Sequence, residues 1–168
     1  MRWATRPETA ADEGAVREVV EAAFPTAGEA DLVDALRGDA AWLPGLSAVA
    51  EAPGGRVAGY ALLTRCRVGG AAALALAPVA VLPAFQRRGA GGAAVRAVLA
   101  AAAGRPGERL VVVLGHPEYY PRFGFVRASS LGIAAPFEVP DEALMALVLD
   151  GPGPVPSGTI AYPAPFGV

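Results

Sequence analysis

From Leu74 to Ala103 the chain reads LALAPVAVLPAFQRRGAGGAAVRAVLAAAA. Every residue from Leu74 to Val81 is apolar, the pattern of a strand covered on both faces, and Pro83 stops it. Gln86, Arg87 and Arg88 precede Gly89, Gly91 and Gly92, after which Val95, Val98, Leu99 and Ala102 recur at helical spacing. The spacing predicts a buried strand, a glycine turn and a helix that begins at the glycines. The first amides of such a helix have no acceptor within it, and the aligned peptide dipoles add positive character there. Glycines at 89, 91 and 92 put no Cβ in the way of an approaching diphosphate, and Arg87 and Arg88 bring positive charge to the rim. The ligand this stretch predicts is a phosphorylated cofactor.

Glycines before an Ala-rich helix can be turn punctuation and nothing more. Here they share one turn with Gln86, two arginines and a buried strand, and two phosphate readings compete. Gly89-Ala90-Gly91-Gly92-Ala93-Ala94 fits G-x-G-x-x-A, the dinucleotide fingerprint. In that fingerprint the first glycine follows the strand directly, whereas Gly89 stands eight positions after Val81, in mid-chain. A Walker A loop is excluded, because no Gly-Lys-Ser/Thr occurs.

Gln86-Arg87-Arg88-Gly89-Ala90-Gly91 resembles the Q/R-x-x-G-x-G/A signature with which GNAT superfamily N-acetyltransferases bind the acetyl-CoA pyrophosphate. The resemblance extends through VAVLPAFQ, Val79 to Gln86, similar to the family's fourth strand and following loop. The run LGHPEYYPRFGF, Leu114 to Phe125, looks like the YhbS-type bacterial branch. The similarity spans nearly the whole chain, strongest over Leu74 to Phe125 and Pro136 to Gly151. It implies an α/β fold in a single domain over residues 1–168: a mixed sheet of antiparallel strands plus a central parallel pair, flanked by helices. Acetyl-CoA is then the co-substrate, held by Gln86, Arg87, Arg88, Gly89, Ala90, Gly91 and Gly92 and by strand backbone at Val79, Ala80 and Val81.

Composition bounds the alternatives. At 168 residues the chain has the length of one ordinary domain, able to bury about two thirds of its unfolded surface. The longest apolar run, Ala71 to Leu82, contains Pro78 and falls short of the ~20 residues a membrane span needs. Arg2 and Trp3 lead into a charged segment rather than an apolar signal core, so a cytoplasmic protein is expected. With one cysteine, Cys66, and one histidine, neither a disulfide nor a metal-ligand cluster is expected. Net charge of −2 offers no broad basic face to nucleic acid. All fourteen basic residues are arginine, which excludes a lysine Schiff base.

Along the chain, Trp3 to Arg6 reads as a first strand. Thr9 with Asp12 and Glu13 opens a helix whose apolar face is Val16, Val19, Val20, Ala23 and Phe24. A second helix runs from about Glu29 to Arg37, with Leu32, Val33 and Leu36 inward. Ser47 to Ala52 and Arg56 to Arg67 are strands joined at Pro53-Gly54-Gly55, and Gly69-Gly70 turns into the central strand. Leu110 to Leu114 follows the glycine helix as a new strand, and a strand, crossover helix and strand imply a parallel pair. A strand near Phe125 and a last strand near Leu144 to Leu149 complete the mixed α/β order, with Gly151 onward read as proline-rich loop and tail.

The resemblance implies attack of a neutral amine on the thioester. An amine of pKa ~10.4 is neutral in about one molecule in 2500 at pH 7, so a base is needed. Many members use a glutamate near the fourth strand, but Leu74 to Val81 has no carboxylate, leaving Glu29 and His116 as candidates. Tyr120 in Y-x-x-x-G-F, Tyr120 to Phe125, matches the tyrosine that faces the CoA sulfur, with Gly124 and Phe125 setting its direction and Tyr119 packing beside it. Pro78 has no N–H for the thioester oxygen, which points to Val79, Ala80 or Val81 as donor. The acceptor is a small-molecule or protein amine, and a homodimer is compatible with the reading. Two other readings stay open: a cofactor-binding sensor or interaction protein of this fold without transfer activity, and a dinucleotide oxidoreductase if the spacing argument fails.

Overall fold

The computed structural model describes residues 2–168. In chain order the elements are β1 (Ala4–Pro7), α1 (Glu13–Ala23), α2 (Gly28–Arg37), β2 (Trp42–Glu51), β3 (Val57–Val68), β4 (Ala71–Val81), α3 (Ala90–Ala103), β5 (Leu110–Leu114), β6 (Val126–Arg127), β7 (Ile133–Ala134), β8 (Leu144–Val148) and β9 (Gly158–Ala161). They gather into two compact units, one of the residues up to Leu63 with Ala77–Ala102, the other of Thr64–Leu76 with Ala103–Val168. β3 and β4 contribute residues to both.

In the first unit the strand order is β1-β2-β3-β4. β1 pairs antiparallel with β2 from Ala4↔Glu51 to Pro7↔Ala48. The predicted helix periods hold: Val16, Val19 and Val20 of α1 and Val33 and Leu36 of α2 are buried. The start of α1 is fixed by charge. Thr9 donates its N–H to Asp12 Oδ2 at 2.7 Å, and Arg6 forks onto the same carboxylate at 2.6 and 2.8 Å. That guanidinium holds the Asp12 carboxyl well below the usual carboxylate range. At the far end of α2, Arg37 Nη2 donates to Glu8 Oε2 at 2.8 Å while the Tyr60 hydroxyl donates to Glu8 Oε1 at 2.6 Å. Burial pushes the Tyr60 phenol far up, so it serves here as a permanent donor.

In the second unit the order is β3-β4-β5-β8-β6, with β9 beside β3 and β7. β4 and β5 are parallel, Leu74↔Val111 and Ala75↔Val112, as a β-α-β crossover requires. β5 and β8 pair antiparallel from Leu110↔Val148 to Leu114↔Leu144. Cys66, Val68, Ala75, Leu110, Val112, Ile133, Leu144 and Ile160 form its core. Arg65 closes one side with a bidentate pair to buried Glu108 at 2.7 and 2.9 Å.

Four expectations need correction. β2 begins at Trp42 rather than Ser47, and β4 at Ala71 rather than Leu74, because pairing carries both strands past the residues whose side chains marked them. Burial on both faces of β4 holds from Ala73 to Leu76 only. Beyond it Pro78 and Ala80 are buried while Ala77, Val79 and Val81 are half-buried, the period-two alternation of a strand with one face open. β8 is not the last strand. The tail read as loop contains β9, which pairs antiparallel with β3 through Arg67↔Ala161 and Val68↔Ile160 and parallel with β7.

Candidate active site

The glycine turn forms as its sequence dictates. After β4 a short 3-10 turn, Pro83–Phe85, leads to Gln86, and then Arg87 and Gly89 both take positive φ, 62° and 90°. Glycine adopts such a φ without penalty; arginine does so at a cost of ~1–2 kcal/mol. The chain thereby reverses into α3 at Ala90. The first intrahelical bond runs from the Ala93 N–H to Gly89 O at 2.9 Å, so the amides of Ala90, Gly91 and Gly92 lie ahead of it without helical acceptors. The side chains of Gln86, Arg87 and Arg88 are exposed around them, and Gln86 Nε2 reaches back to Val81 O at 3.5 Å. Positive backbone ends, arginine charge and glycine room therefore coincide at one turn, which suits a diphosphate.

Two residues outside the motif hold this turn. Gly59 in β3 lies against the first residue of α3, and a Cβ there would stand 3.1 Å from Ala90 O. A glycine inside a strand marks such close backbone approach, the signal by which sequence could have found it. Trp3 donates its indole N–H to Arg88 O at 2.7 Å and sets its ring edge-on to Phe85 at 5.7 Å. No local pattern announces a contact across 85 residues.

Glu29 lies in the first turn of α2, half-buried, and its Oε2 is buried without a hydrogen-bond partner among the described residues. A carboxylate oxygen so placed is short of a donor, which an ammonium or a bridging water would supply.

In the second unit Tyr120 is buried at 9% exposure, and loss of solvent pushes its phenol up to about 12. Its ring meets Tyr119 and Phe125 edge-on at 5.1 and 5.8 Å. It opens the 3-10 turn Tyr120–Phe123, which ends at Gly124 in the left-handed region, φ 99°, and passes to buried Phe125. Gly124 and Phe125 thus occupy the turn and anchor positions expected of them. Gly115, which no local sequence pattern singles out, makes room for the ring. His116, by contrast, projects its side chain into solvent at 85% exposure, 4.0 Å from Glu118, and its carbonyl accepts the amides of Tyr119 and Tyr120. Its observed part is to shape the turn. Also in this unit, a groove of about 640 Å³ is lined by Ser129, Ile133, Phe137, Glu138, Asp141 and Leu144, and Phe137 stacks on Tyr162 of the tail at 6.1 Å.

Comparison with known proteins assigns the fold. Residues 14–125 match the Acetyltransferase (GNAT) family. The chain belongs to that family. As a GNAT member it is 38% identical over 136 residues to the uncharacterized N-acetyltransferase YjhQ of Escherichia coli K12, covering 78% of this chain and 74% of the relative. The fold is similar to the crystal structure of the GNAT family N-acetyltransferase YhbS from Escherichia coli in complex with CoA, TM-score 0.89 at 26% identity, covering 100% of this chain and 93% of that one. It is also similar to a GNAT family acetyltransferase from Brucella melitensis in complex with acetyl-CoA, TM-score 0.78 at 35% identity, covering 98% of both chains. Among the described residues no helix is long and apolar enough to cross a membrane, and no group of His, Cys, Asp and Glu could hold a metal ion.

Proposed function

We propose that the protein transfers the acetyl group of acetyl-CoA to a primary amine, with residues 1–168 working as one N-acetyltransferase domain. The observation that carries this reading is the turn from Gln86 to Gly92, whose reversal at Arg87 and Gly89 sets the amides of Ala90, Gly91 and Gly92, which have no acceptor within the helix, beside two arginines. In this reading those residues hold the pyrophosphate. The backbone of Val79, Ala80 and Val81, where one face of β4 opens, bonds the pantetheine arm and supplies the N–H that receives the thioester oxygen's growing charge.

Glu29 takes the proton of the attacking amine, directly or through a water. Its buried, donor-less oxygen favours it over solvent-exposed His116. The amine nitrogen adds to the carbonyl carbon, the C–S bond breaks, and the electron pair leaves on the CoA sulfur. Tyr120 meets that charge with its hydroxyl. A phenol near 12 stays protonated at any working pH and is a weaker acid than a free thiol at ~8.5, so its contribution is a hydrogen bond that strengthens as the thiolate forms.

A binding module without transfer activity draws support from the lack of a carboxylate in Leu74–Val81. Two measurements separate the readings. Calorimetric titration should show saturable binding of acetyl-CoA and none of NADH. A screen of primary amines read by thiol release should then yield a turned-over acceptor; tight acetyl-CoA binding with no thiol release from any amine would leave only the binding module.

A further inference from the structure

We propose that Trp3 is a positioning residue for the diphosphate turn, acting through the Arg88–Gly89 peptide. The inference rests on the reading of Gln86 to Gly92 as the pyrophosphate site. The indole Nε1–H donates to Arg88 O at 2.7 Å, and the ring is braced edge-on against Phe85 at 5.7 Å and 84°. Gly89 lies against the same indole, since a Cβ built on it would stand 3.6 Å from Nε1.

The consequence follows from the geometry of one peptide unit. A trans peptide is planar, and its C=O and N–H point in opposite directions. A donor that fixes the Arg88 carbonyl therefore fixes the Gly89 N–H to point away from the indole. Positive φ at Gly89 adjoins this peptide, and glycine lets the 88–89 plane turn over at little cost. Turned over, it would offer a diphosphate a carbonyl oxygen instead of an amide. The indole bond opposes that reversal before any ligand arrives. A second side-chain bond of the turn, Gln86 Nε2 to Val81 O at 3.5 Å, is at the limit of a hydrogen bond and anchors only the entry.

Trp3→Phe keeps a ring against Phe85 and removes the N–H. Calorimetry with CoA and with ADP, which carries a diphosphate without the pantetheine arm, should show both dissociation constants raised by the same factor, roughly three- to tenfold, with the melting temperature held. Trp3→His, which restores a ring N–H, should regain part of the loss. A change below twofold for both ligands, or a loss confined to CoA, overturns the proposal while leaving the pyrophosphate site intact. Failure of the wild-type protein to bind either ligand overturns the underlying reading as well. A second measurement does not depend on the folding of Trp3 variants. The chain has two tryptophans, so in Trp42→Phe the remaining emission is that of Trp3. ADP should shift it saturably, and an unchanged spectrum at saturating ADP contradicts the proposal.

Discussion

The ring of Tyr120 lies so close over Gly115 that a Cβ on the glycine would stand 2.4 Å from Cε2 and 3.1 Å from Cδ2. Gly115 is itself tied to the neighbouring strand end, its N–H donating to Ala143 O at 2.9 Å, so the backbone cannot readily give way. Gly115→Ala must therefore displace the ring. Overpacking of this kind costs typically ~1–3 kcal/mol. Turnover should fall at least tenfold, and in a Tyr120→Phe background the same change should add little, because the group it misplaces is already gone. Multiplicative losses in the double variant would detach Gly115 from the tyrosine's role.

Arg87 separates stability from binding. Its positive φ of 62° is one a glycine adopts freely, so Arg87→Gly should leave the melting temperature unchanged or raise it slightly. Loss of the rim charge should nevertheless weaken acetyl-CoA several-fold and flatten the dependence of affinity on salt. Equal affinity in both proteins at low salt would remove Arg87 from the site.

The tail behaves as structure. Deletion after Asp150 would remove β9, expose the partners of buried Ile160 and break the bond from the Gly69 N–H to Thr159 O. Gly69 and Gly158 exist for this contact, since a Cβ on Gly69 would lie 1.9 Å from Ser157 O. Losing Ile160 alone is comparable to an Ile→Ala change of ~2–5 kcal/mol. Urea unfolding of the truncated chain should show a drop at least that large; an unchanged midpoint would contradict the packing described.

Acid should unfold the protein through two carboxylates. Hydrogen bonds from Arg6 hold Asp12 below its ordinary value, and those from Arg65 do the same for Glu108. A group depressed on folding contributes stability that is complete above its unfolded pKa, ~3.9 for Asp and ~4.3 for Glu, and lost as pH falls through the folded value. Stability should thus decline below about pH 5. Asp12→Asn and Glu108→Gln should each lower stability at pH 7 and make the acid limb shallower, as urea midpoints across pH would reveal. An acid limb as steep as in the wild type would place the titrating groups elsewhere.

What sequence revealed and what it hid have physical causes. The start of α3, the extent of β5 and the turn of Tyr120 were legible because each rests on short-range chemistry: glycine at positive φ, an unbroken apolar run, proline and glycine bounding a turn. β9 was hidden because it is four residues long, opens on glycine and lies between prolines, and only pairing with β3 and β7 makes it a strand. Trp3 read as the first residue of a strand, and its bond to the turn exists only in the folded chain. His116 shows the reverse failure. Its chemistry suits a base, but the chain turns its ring into solvent.

The most direct test compares single-turnover rates of the wild-type protein and Tyr120→Phe, preloaded with acetyl-CoA and mixed with an acceptor found by thiol release. The ring remains to pack against Tyr119 and Phe125, so acetyl-CoA affinity should change little while the chemical step slows about 10²–10³-fold, the cost of removing one donor to a developing anion. With the phenol raised to about 12, Tyr120 should add no alkaline limb to the wild-type rate below about pH 11. Replacing acetyl-CoA by a thioester with a better leaving group should recover part of the loss. Equal rates for the two proteins would contradict the assignment of Tyr120 and, with it, the account of how this chain transfers an acetyl group.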